Sequence, residues 1–371
     1  MSSKSRKLTR KQVKSKKQVK SRKSTRKKSK SKSKTKSIKS TLTKSDIIKM
    51  EYPYRNLEIT KYEMLDDFNK LKNYKTKIFR YNPNPRKYRI TPFKNNKYLI
   101  FSESYHKNKE LYRITDYFSH KCRVRCVMNM AEKESILALF TKNKIAMLEE
   151  FERKNTPLTI HQMNEYLFRK FKDCTSFNTT MVMNILNLFK PRRWLDCSAG
   201  WGDRLVGAIA FDCEYLGVDP SKCMTPVYQE IIKGLVKSAE KRKQYEVVCD
   251  GFENVKVKTS YYDLVFTSPP FFDFEVYEDN SNQSIEKFNT VNKWKNHFLF
   301  PLIEKSYKAL TIGGYLALYI TDFKGASYIG DMKNYVKANL KEQLRYEGDI
   351  HWLNKEPPKK IRTIYVWKKI M

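Results

Sequence analysis

The segment Asp263–Phe271 constrains the fold of this chain more than any other part of its sequence. It reads Asp-Leu-Val-Phe-Thr-Ser-Pro-Pro-Phe, so an apolar run typical of a buried strand stops at a polar residue, two prolines and an aromatic. Proline has no N–H to donate, and its ring holds the backbone rigid. The strand must therefore end in a rigid turn with free carbonyl groups beside an aromatic face. Such a turn suits the binding of a planar group that carries an NH2.

A glycine-containing turn lies upstream in Trp194–Leu205, which reads Trp-Leu-Asp-Cys-Ser-Ala-Gly-Trp-Gly-Asp-Arg-Leu. We expect a short strand with Asp196 at its carboxyl end, then a tight turn through Gly200 and Gly202 into a helix that begins near Asp203. Ligands of open α/β sheets bind at such strand ends, beside a helix amino terminus. An acid before the glycines would repel a pyrophosphate, whereas it can pair with a cationic amino group. The turn therefore favours a cofactor with a cationic amino group.

Two further acids follow predicted strands in the same region. Asp219 ends the second strand, at the position that binds ribose hydroxyls in nucleoside-binding α/β folds. Asp250 follows a third strand, where it could accept a hydrogen bond from an adenine amino group while Phe252 contacts the ring. Either acid alone would be an ordinary loop residue. Four strand ends in this order, with helices between them, make a nucleoside-containing cofactor the expectation.

These motifs resemble those of the S-adenosylmethionine-dependent amino-methyltransferases, in which Asp, Asn or Ser, two prolines and Tyr, Phe or Trp follow the fourth strand. The resemblance covers residues 180–371, and it extends to the cytosine-N4 and adenine-N6 DNA methyltransferases of phages and large DNA viruses. It implies one cofactor, S-adenosylmethionine, and no metal. The residues expected to bind this cofactor are Asp196, Ser198, Gly200, Gly202, Asp219, Asp250 and Phe252.

The same resemblance assigns the chemistry to the turn Ser268, Pro269, Pro270 and Phe271. The Ser268 side chain and the Pro269 carbonyl would accept the two hydrogens of an exocyclic amine, which frees its lone pair, and Phe271 would stack on the base. A base in a duplex must first be flipped out. The aromatic side chains placed to receive it are Phe271, Phe272, Phe274 and Tyr277, of which two are expected to serve only packing.

The intervening segments predict an α/β fold of the Rossmann-like class I methyltransferase type, with a mostly parallel seven-stranded sheet. Helices are expected from Thr225 to about Lys241, and over 288–310 with a bend at Pro301. Three more strands are expected at 313–320, 344–353 and 362–369. Strands separated by helices favour parallel pairing with right-handed crossovers. The resemblance adds that the last strand runs antiparallel.

The charge of this chain is unevenly distributed. The net charge is +36, and residues 1–45 hold twenty Lys and Arg and no acid, which leaves +16 for the remainder. Such a segment has too few apolar residues to form a core, so we expect a disordered basic tail. The tail would bind polyanions such as nucleic acid by counterion release, or serve as a nuclear import signal. Residues 46–150 are expected to form a small accessory region, and residues 151–371 the methyltransferase domain.

Seven cysteines at irregular spacing, in a sequence without an apolar secretion signal, predict reduced thiols. We therefore expect an intracellular protein of the cytoplasm or nucleus that is not secreted. The sequence contains no run of apolar residues long enough for a membrane span. Cys122 and Cys126 are the one close pair, and they lack two further ligands at zinc spacing.

The accessory region has one distinctive segment, with Asp116, Tyr117, Arg123 and Arg125 within ten residues. These side chains could line a nucleic-acid cleft, with arginine on phosphate and aromatic rings on bases. They could equally form a solvated edge over a small core. Strand-like runs at 87–90 and 98–102 complete this region, which would carry target recognition because few residues remain beyond the sheet.

The identity of the target base stays open at the level of sequence. Thr267 and Ser268 before the prolines resemble the cytosine-N4 enzymes, whereas adenine-N6 enzymes more often carry Asp or Asn there. Phe271 in place of Tyr or Trp departs from both patterns. The leading expectation is methylation of cytosine N4 or adenine N6 in DNA. The alternatives are an RNA base methyltransferase and a non-catalytic nucleic-acid-binding protein on the same scaffold.

Overall fold

The computed structural model describes residues 41–76, 91, 93–94, 100–102, 109–128, 133–277, 282–353 and 362–371. The strand expected at 87–90 and residues 1–40 of the expected tail lie outside these ranges. In the described chain, the strands are β1 Ile100–Ser102, β2 Val127–Met128, β3 Arg193–Asp196, β4 Glu214–Val218, β5 Tyr245–Val248, β6 Tyr262–Thr267, β7 Glu275–Val276, β8 Leu310–Tyr319, β9 Leu344–Leu353 and β10 Arg362–Lys369.

The helices of the described chain fall into two groups along the sequence. Those before the sheet are α1 Lys44–Lys49, α2 Lys61–Lys72, α3 Lys109–Arg123, α4 Ile136–Arg153, α5 Ile160–Phe171 and α6 Thr179–Phe189, with a short 3₁₀ turn at Arg55–Leu57. Those between the strands are α7 Asp203–Phe211, α8 Met224–Leu235, α9 Ala239–Arg242, α10 Ser284–Lys287, α11 Val291–Trp294, α12 Phe300–Ala309 and α13 Ile329–Asn339.

The main sheet is mostly parallel, in the order β1-β9-β10-β8-β6-β3-β4-β5. Only β10 runs antiparallel, and it does so to both of its neighbours, β8 and β9. The Rossmann-like fold and the antiparallel last strand are therefore confirmed. The seven strands expected from residues 190–371 are joined by an eighth, β1, which pairs in parallel with β9 at the edge. A separate antiparallel pair joins β2 to β7.

Two of the predicted helices are interrupted for local reasons. The helix expected from Thr225 ends at Leu235, and α9 begins separately because Ser238 caps it by accepting the Lys241 N–H. The helix expected over 288–310 contains a π-helical turn at Lys295–Leu299, which ends two residues before Pro301, the residue that lacks an N–H.

The amino-terminal end of the described chain departs from the expected tail. Lys44 and Ser45 lie in α1, whose first turn is fixed by a reciprocal capping box between Thr43 and Asp46. The Leu42 N–H donates to the Leu158 carbonyl over 2.8 Å, which ties this end to the folded chain.

The core lies on both faces of the main sheet, because successive strand residues point to opposite sides. Leu264 and Phe266 belong to one buried cluster and Val265 to the other. The first cluster also holds Phe68 of α2 and Ile114 of α3, so the amino-terminal helices share the core of the sheet. A third cluster joins α1, α4 and α5. The boundary expected at residue 150 lies within α4.

Candidate active site

A cleft of about 270 Å³ opens at the carboxyl ends of β3, β4 and β6. It is lined by both turns that the sequence singles out, the glycine turn after β3 and the Ser-Pro-Pro-Phe turn after β6. The carboxyl ends of parallel strands meet at one edge of a sheet, which explains why turns far apart in sequence come together here.

The glycine turn adopts the geometry expected of it. Gly200 has φ +62° and Gly202 has φ +91°, a region that residues with a Cβ rarely adopt. A Cβ on Gly202 would also lie 2.6 Å from Cδ1 of Ile231 in α8. Glycine is thus required at 202 by backbone conformation and by helix packing. Gly202 caps α7, whose first residue is Asp203.

Asp196 does not occupy the position expected of a cofactor ligand. Its side chain is fully buried, and it is absent from the residues that line the cleft. Its Oδ2 accepts hydrogen bonds from Arg204 Nε at 2.7 Å and from the Tyr215 hydroxyl at 2.8 Å. Asp196 is thus compensated by Arg204 and turned away from the cleft, and its direct pairing with the cofactor stays a prediction. Arg204 in turn donates to the Ser198 carbonyl, so the Asp196–Arg204 pair stabilises the glycine turn.

Asp219 lies in the cleft as predicted. Its Oδ2 accepts the Gly200 N–H at 2.8 Å, and its Oδ1 accepts the Ser221 N–H at 3.0 Å. Burial raises the pKa of this carboxyl to about 6. Each oxygen has a second lone pair, so the carboxylate can still accept two hydroxyl hydrogens from a ligand.

Asp250 and Phe252 are separated by the structure. The Asp250 carboxylate accepts hydrogen bonds from the Gly251 N–H at 2.6 Å and from Asn254 Nδ2 at 2.8 Å, and it is not among the lining residues. The bond to Asn254 lowers the pKa of Asp250. Phe252 does line the cleft, with Lys305 Nζ 4.7 Å from its ring centre. Asp250 therefore lies outside the cleft lining, and its contact with an adenine amino group stays a prediction.

The Ser-Pro-Pro-Phe turn begins directly after β6, and all of its residues line the cleft. The Phe271 ring lies edge-on to Tyr319, with ring centres 5.7 Å apart. Phe272 has φ +52° and is buried edge-on against Trp294, with ring centres 6.1 Å apart. The ring of Phe272 therefore packs into the core, as was expected of two of these aromatics.

Phe274 and Tyr277, the other two predicted aromatics, also line the cleft. Phe274 is partly exposed and contacts Phe323, with ring centres 5.3 Å apart. Tyr277 packs edge-on against Trp201 of the glycine turn at 5.7 Å, and its N–H donates to Gln283 Oε1. Tyr277 thus connects the segment after the Ser-Pro-Pro-Phe turn to the glycine turn.

One wall of the cleft was missed from the sequence. It is formed by Thr175–Phe177, and the Phe177 ring lies 5.4 Å from Tyr319. The Phe177 N–H donates to Asp203 Oδ2 at 3.1 Å, which ties this wall to the first residue of α7. The segment carries no motif of its own, so no local signal indicated it. Glu275 was missed as well, although it lines the cleft and burial raises the pKa of its carboxyl to about 7.

The accessory segment has a structural role at two of its four predicted positions. Asp116 and Arg123 are buried, and Arg123 Nη2 lies 2.5 Å from Asp116 Oδ1. Arg123 Nη1 donates to Asp173 Oδ2 at 3.1 Å and to the Cys174 carbonyl at 2.8 Å. Asp116 and Arg123 are thus buried and bind each other, which places them away from the surface where a nucleic-acid contact was predicted. Together with Asp173, they hold the segment that leads into the cleft wall.

The remaining two positions lie nearer the surface. Tyr117 is partly buried and packs edge-on against Phe118 at 5.0 Å. The Arg125 side chain is 57% exposed, and its nearest acid is Glu51 at 3.9 Å. Of the four, Arg125 is the residue that is accessible to a polyanion.

Four cysteines are paired, which corrects the expectation that all seven are reduced thiols. Disulfides join Cys122 to Cys223 and Cys126 to Cys174. Their separations of 101 and 48 residues gave no spacing signal in the sequence. Both bonds connect the α3 region to segments near the cleft. No helix in the described part of the chain is sufficiently long and apolar to cross a membrane.

Asp203 gives the site a measurable pH dependence. Burial raises the pKa of its carboxyl from 3.8 to about 7, so the folded state holds a proton that the unfolded chain releases. Stability from this group is therefore lost as pH rises from about 4 to about 7. We expect Asp203→Asn to be more stable relative to the wild type at pH 8 than at pH 5, by about 2–4 kcal/mol. Urea unfolding of both proteins at both pH values measures this. An equal difference at the two pH values would contradict it.

Comparison with known proteins was made on sequence and on structure. No protein-family model and no curated protein matches the sequence. A rRNA methylase from Streptococcus thermophilus is 13% identical with a TM-score of 0.35, over 53% of this chain and 99% of that chain. TrmN from Thermus thermophilus is 13% identical with a TM-score of 0.38, over 53% of this chain and 50% of that chain. Magnesium protoporphyrin IX methyltransferase from Synechocystis PCC 6803, with bound SAM, is 10% identical with a TM-score of 0.37. The match covers 52% of this chain and 79% of that chain. The fold of this chain rests on its own strand order.

Proposed function

We propose that this chain transfers a methyl group from S-adenosylmethionine to an exocyclic amino group of a DNA base, cytosine N4 or adenine N6. One observation carries the proposal: the glycine turn, Asp219 and the turn Ser268–Phe271 line the same cleft. A cofactor turn and an amine-binding turn in one cleft would bring methyl donor and acceptor together. The net charge of +36 favours nucleic acid over a protein as the substrate.

The cleft has groups that fit the cofactor. Asp219 keeps two lone pairs for ribose hydroxyls, and the Phe252 ring offers an apolar face for adenine. Asp196 is engaged by Arg204, and Asp203 is the other acid of the glycine turn. Asp203 lines the cleft and would pair with the cationic amino group in its ionised form, since burial raises its pKa to about 7. When bound, S-adenosylmethionine supplies a sulfonium methyl group that is open to nucleophilic attack.

The residues of the Ser-Pro-Pro-Phe turn would activate and orient the base. An exocyclic amine is a poor nucleophile because its lone pair is delocalised into the ring. The Ser268 side chain and the Pro269 carbonyl would accept its two hydrogens, which makes the nitrogen more tetrahedral. Phe271 would hold the ring by stacking, so most of the acceleration comes from positioning and electrostatics. The methylated amine loses its proton readily, so no strong base is needed.

Nucleic-acid affinity is assigned to two parts of the chain. Residues 1–45 carry twenty positive charges, which would bind any polyanion by counterion release without reading sequence. In the accessory region, Arg125 has the exposure that a phosphate contact requires. We propose that residues 46–150 contribute to target recognition from the surface around this residue.

Asp219→Ala is expected to weaken S-adenosylmethionine binding about tenfold or more. The substitution removes hydrogen bonds worth about 1–3 kcal/mol in total, and each 1.4 kcal/mol changes the Kd tenfold. Titration calorimetry measures the effect. Asp250→Ala is the matched control, because this acid also follows a strand and accepts a backbone N–H, but it does not line the cleft. Equal affinities of the wild type and Asp219→Ala would refute the ribose assignment.

The proposed function is tested by incubating the purified protein with labelled S-adenosylmethionine and separate DNA, RNA and protein substrates. We expect label in DNA, and digestion to nucleosides should yield N4-methylcytosine or N6-methyladenine. Label in RNA alone would replace DNA with RNA as the substrate. Absence of label from all three, with a cofactor that still binds, would refute the catalytic role.

A further inference from the structure

Three segments that are distant in sequence bring two cysteine sulfur atoms and a carboxylate together beside the cleft. The Sγ atoms of Cys126 and Cys174 and a carboxylate oxygen of Glu275 all lie within 4.8 Å of one another. Cys126 directly precedes β2, Glu275 begins β7, and these two strands pair in antiparallel register. Both cysteines are almost fully buried, and Glu275 lines the cleft.

The carboxylate of Asp173, the residue before Cys174, has incomplete hydrogen bonding. Asp173 precedes Cys174 and is buried, and Arg123 binds its Oδ2 at 3.1 Å. Its second oxygen, Oδ1, is buried without a hydrogen-bond partner in the described part of the chain. A buried carboxylate oxygen without a partner is costly, and a bound cation is one of the ways to satisfy it.

We propose that, after reduction of the Cys126–Cys174 disulfide, Cys126, Cys174 and Glu275 bind one Zn²⁺. Zinc prefers four ligands from sulfur, nitrogen and carboxylate oxygen, with bonds of about 2.0–2.3 Å. Tetrahedral bonds of this length place ligand atoms about 3.5 Å apart, which the observed cluster allows. Two thiolates exclude calcium and magnesium as the preferred metals, since these ions select oxygen ligands. The fourth position goes to water.

The chemistry balances with a dithiol as the reductant. Two thiol–disulfide exchanges convert the Cys126–Cys174 bond to two thiols, and the dithiol becomes a cyclic disulfide. Zn²⁺ then displaces the two thiol protons to solvent as the two sulfur–metal bonds form. The metal would join the end of α3, the segment leading to the Thr175–Phe177 wall, and the segment that follows the Ser-Pro-Pro-Phe turn. This site is independent of the proposed methyl transfer.

The second disulfide provides a matched control. Cys122 and Cys223 are also paired across two elements, and in the described residues no carboxylate completes a comparable group with them. Cys122→Ser therefore removes one cysteine of a disulfide and leaves all of the proposed ligands in place. Oxidised wild-type protein is a second control that needs no substitution, because its Cys126 and Cys174 sulfur atoms are bonded to each other.

The experiment measures metal content rather than activity. Full-length protein is reduced with a dithiol under argon, desalted, loaded with Zn²⁺ and analysed by elemental mass spectrometry. Co²⁺ replaces Zn²⁺ in a parallel titration, because thiolate ligands give a cobalt charge-transfer absorption. We expect one metal per chain in the reduced wild type and in Cys122→Ser. Oxidised protein and the Cys126→Ser and Cys174→Ser variants should lose the metal and the absorption.

Glu275→Gln tests the third ligand, with both thiols kept in place. We expect metal affinity at least tenfold weaker than in the reduced wild type, and circular dichroism confirms that the variant is folded. Reduced wild type that retains no more zinc than oxidised protein would overturn the proposal. Affinity that is unchanged in Glu275→Gln would overturn the three-ligand site.

Discussion

Arg123→Met is expected to lower the free energy of unfolding by about 3–5 kcal/mol, because it leaves the buried Asp173 without its ion-pair partner and Asp116 with Arg55 alone. Arg123 lies between Asp116 and Asp173, and all three side chains are less than 10% exposed. The nearby Arg123 charge lowers the pKa of Asp116 despite its burial, so this acid is ionised at neutral pH. Urea unfolding at pH 7 measures the loss.

Arg125→Met is the matched control, two residues further along the chain. Its side chain is exposed and 3.9 Å from an equally exposed Glu51, so the expected change is within about 1 kcal/mol. A loss of similar size in both variants would contradict the assignment of Arg123 to the core. We also expect Arg123→Met to lose cofactor affinity, because Arg123 holds the Cys174 carbonyl directly before the cleft wall.

Phe271→Ala is expected to lower methyl transfer by about 10- to 100-fold while S-adenosylmethionine affinity stays within about threefold. Stacking of a base on an aromatic ring contributes about 1–3 kcal/mol, and Phe271 is the ring proposed to stack on the target base. Single-turnover transfer to a nucleic-acid substrate and calorimetry with the cofactor separate the two effects.

Phe271→Tyr is the control for this substitution, because it keeps the ring and restores a residue of the methyltransferase signature. We expect it to retain most of the wild-type rate. If Phe271→Ala were as fast as the wild type, the ring would serve only packing against Tyr319, and its stacking role would be wrong.

The turns of the site were predictable because their causes are local. Prolines at 269 and 270 must end a central strand, and β6 ends at Thr267. The positive φ angles at Gly200 and Gly202 could likewise be predicted, because glycine is the residue that adopts this region readily in a tight turn. Even so, the reason for glycine at 202 includes Ile231 of another helix, which the turn sequence does not reveal.

The sequence could not decide which acids face the cleft, although one signal was present. Asp196, Asp219 and Asp250 all follow strands, yet only Asp219 presents its side chain to the cleft. Arg204 stands eight residues after Asp196 in the same motif, and an opposite charge at that position is a sign of a buried pair. The second partner of Asp196, Tyr215, comes from the neighbouring strand and could not be read from the motif.

The sequence by itself determined where β3, β4 and β6 end, because apolar runs, prolines and glycines are local features. Tertiary structure alone decided that Arg123 is buried, that Phe272 packs against Trp294, and that Cys126 meets Cys174. The physical reason is that burial and pairing depend on groups brought together by the fold. A charged or sulfur-containing side chain has the same local pattern whether its partner is solvent or a residue 48 positions away.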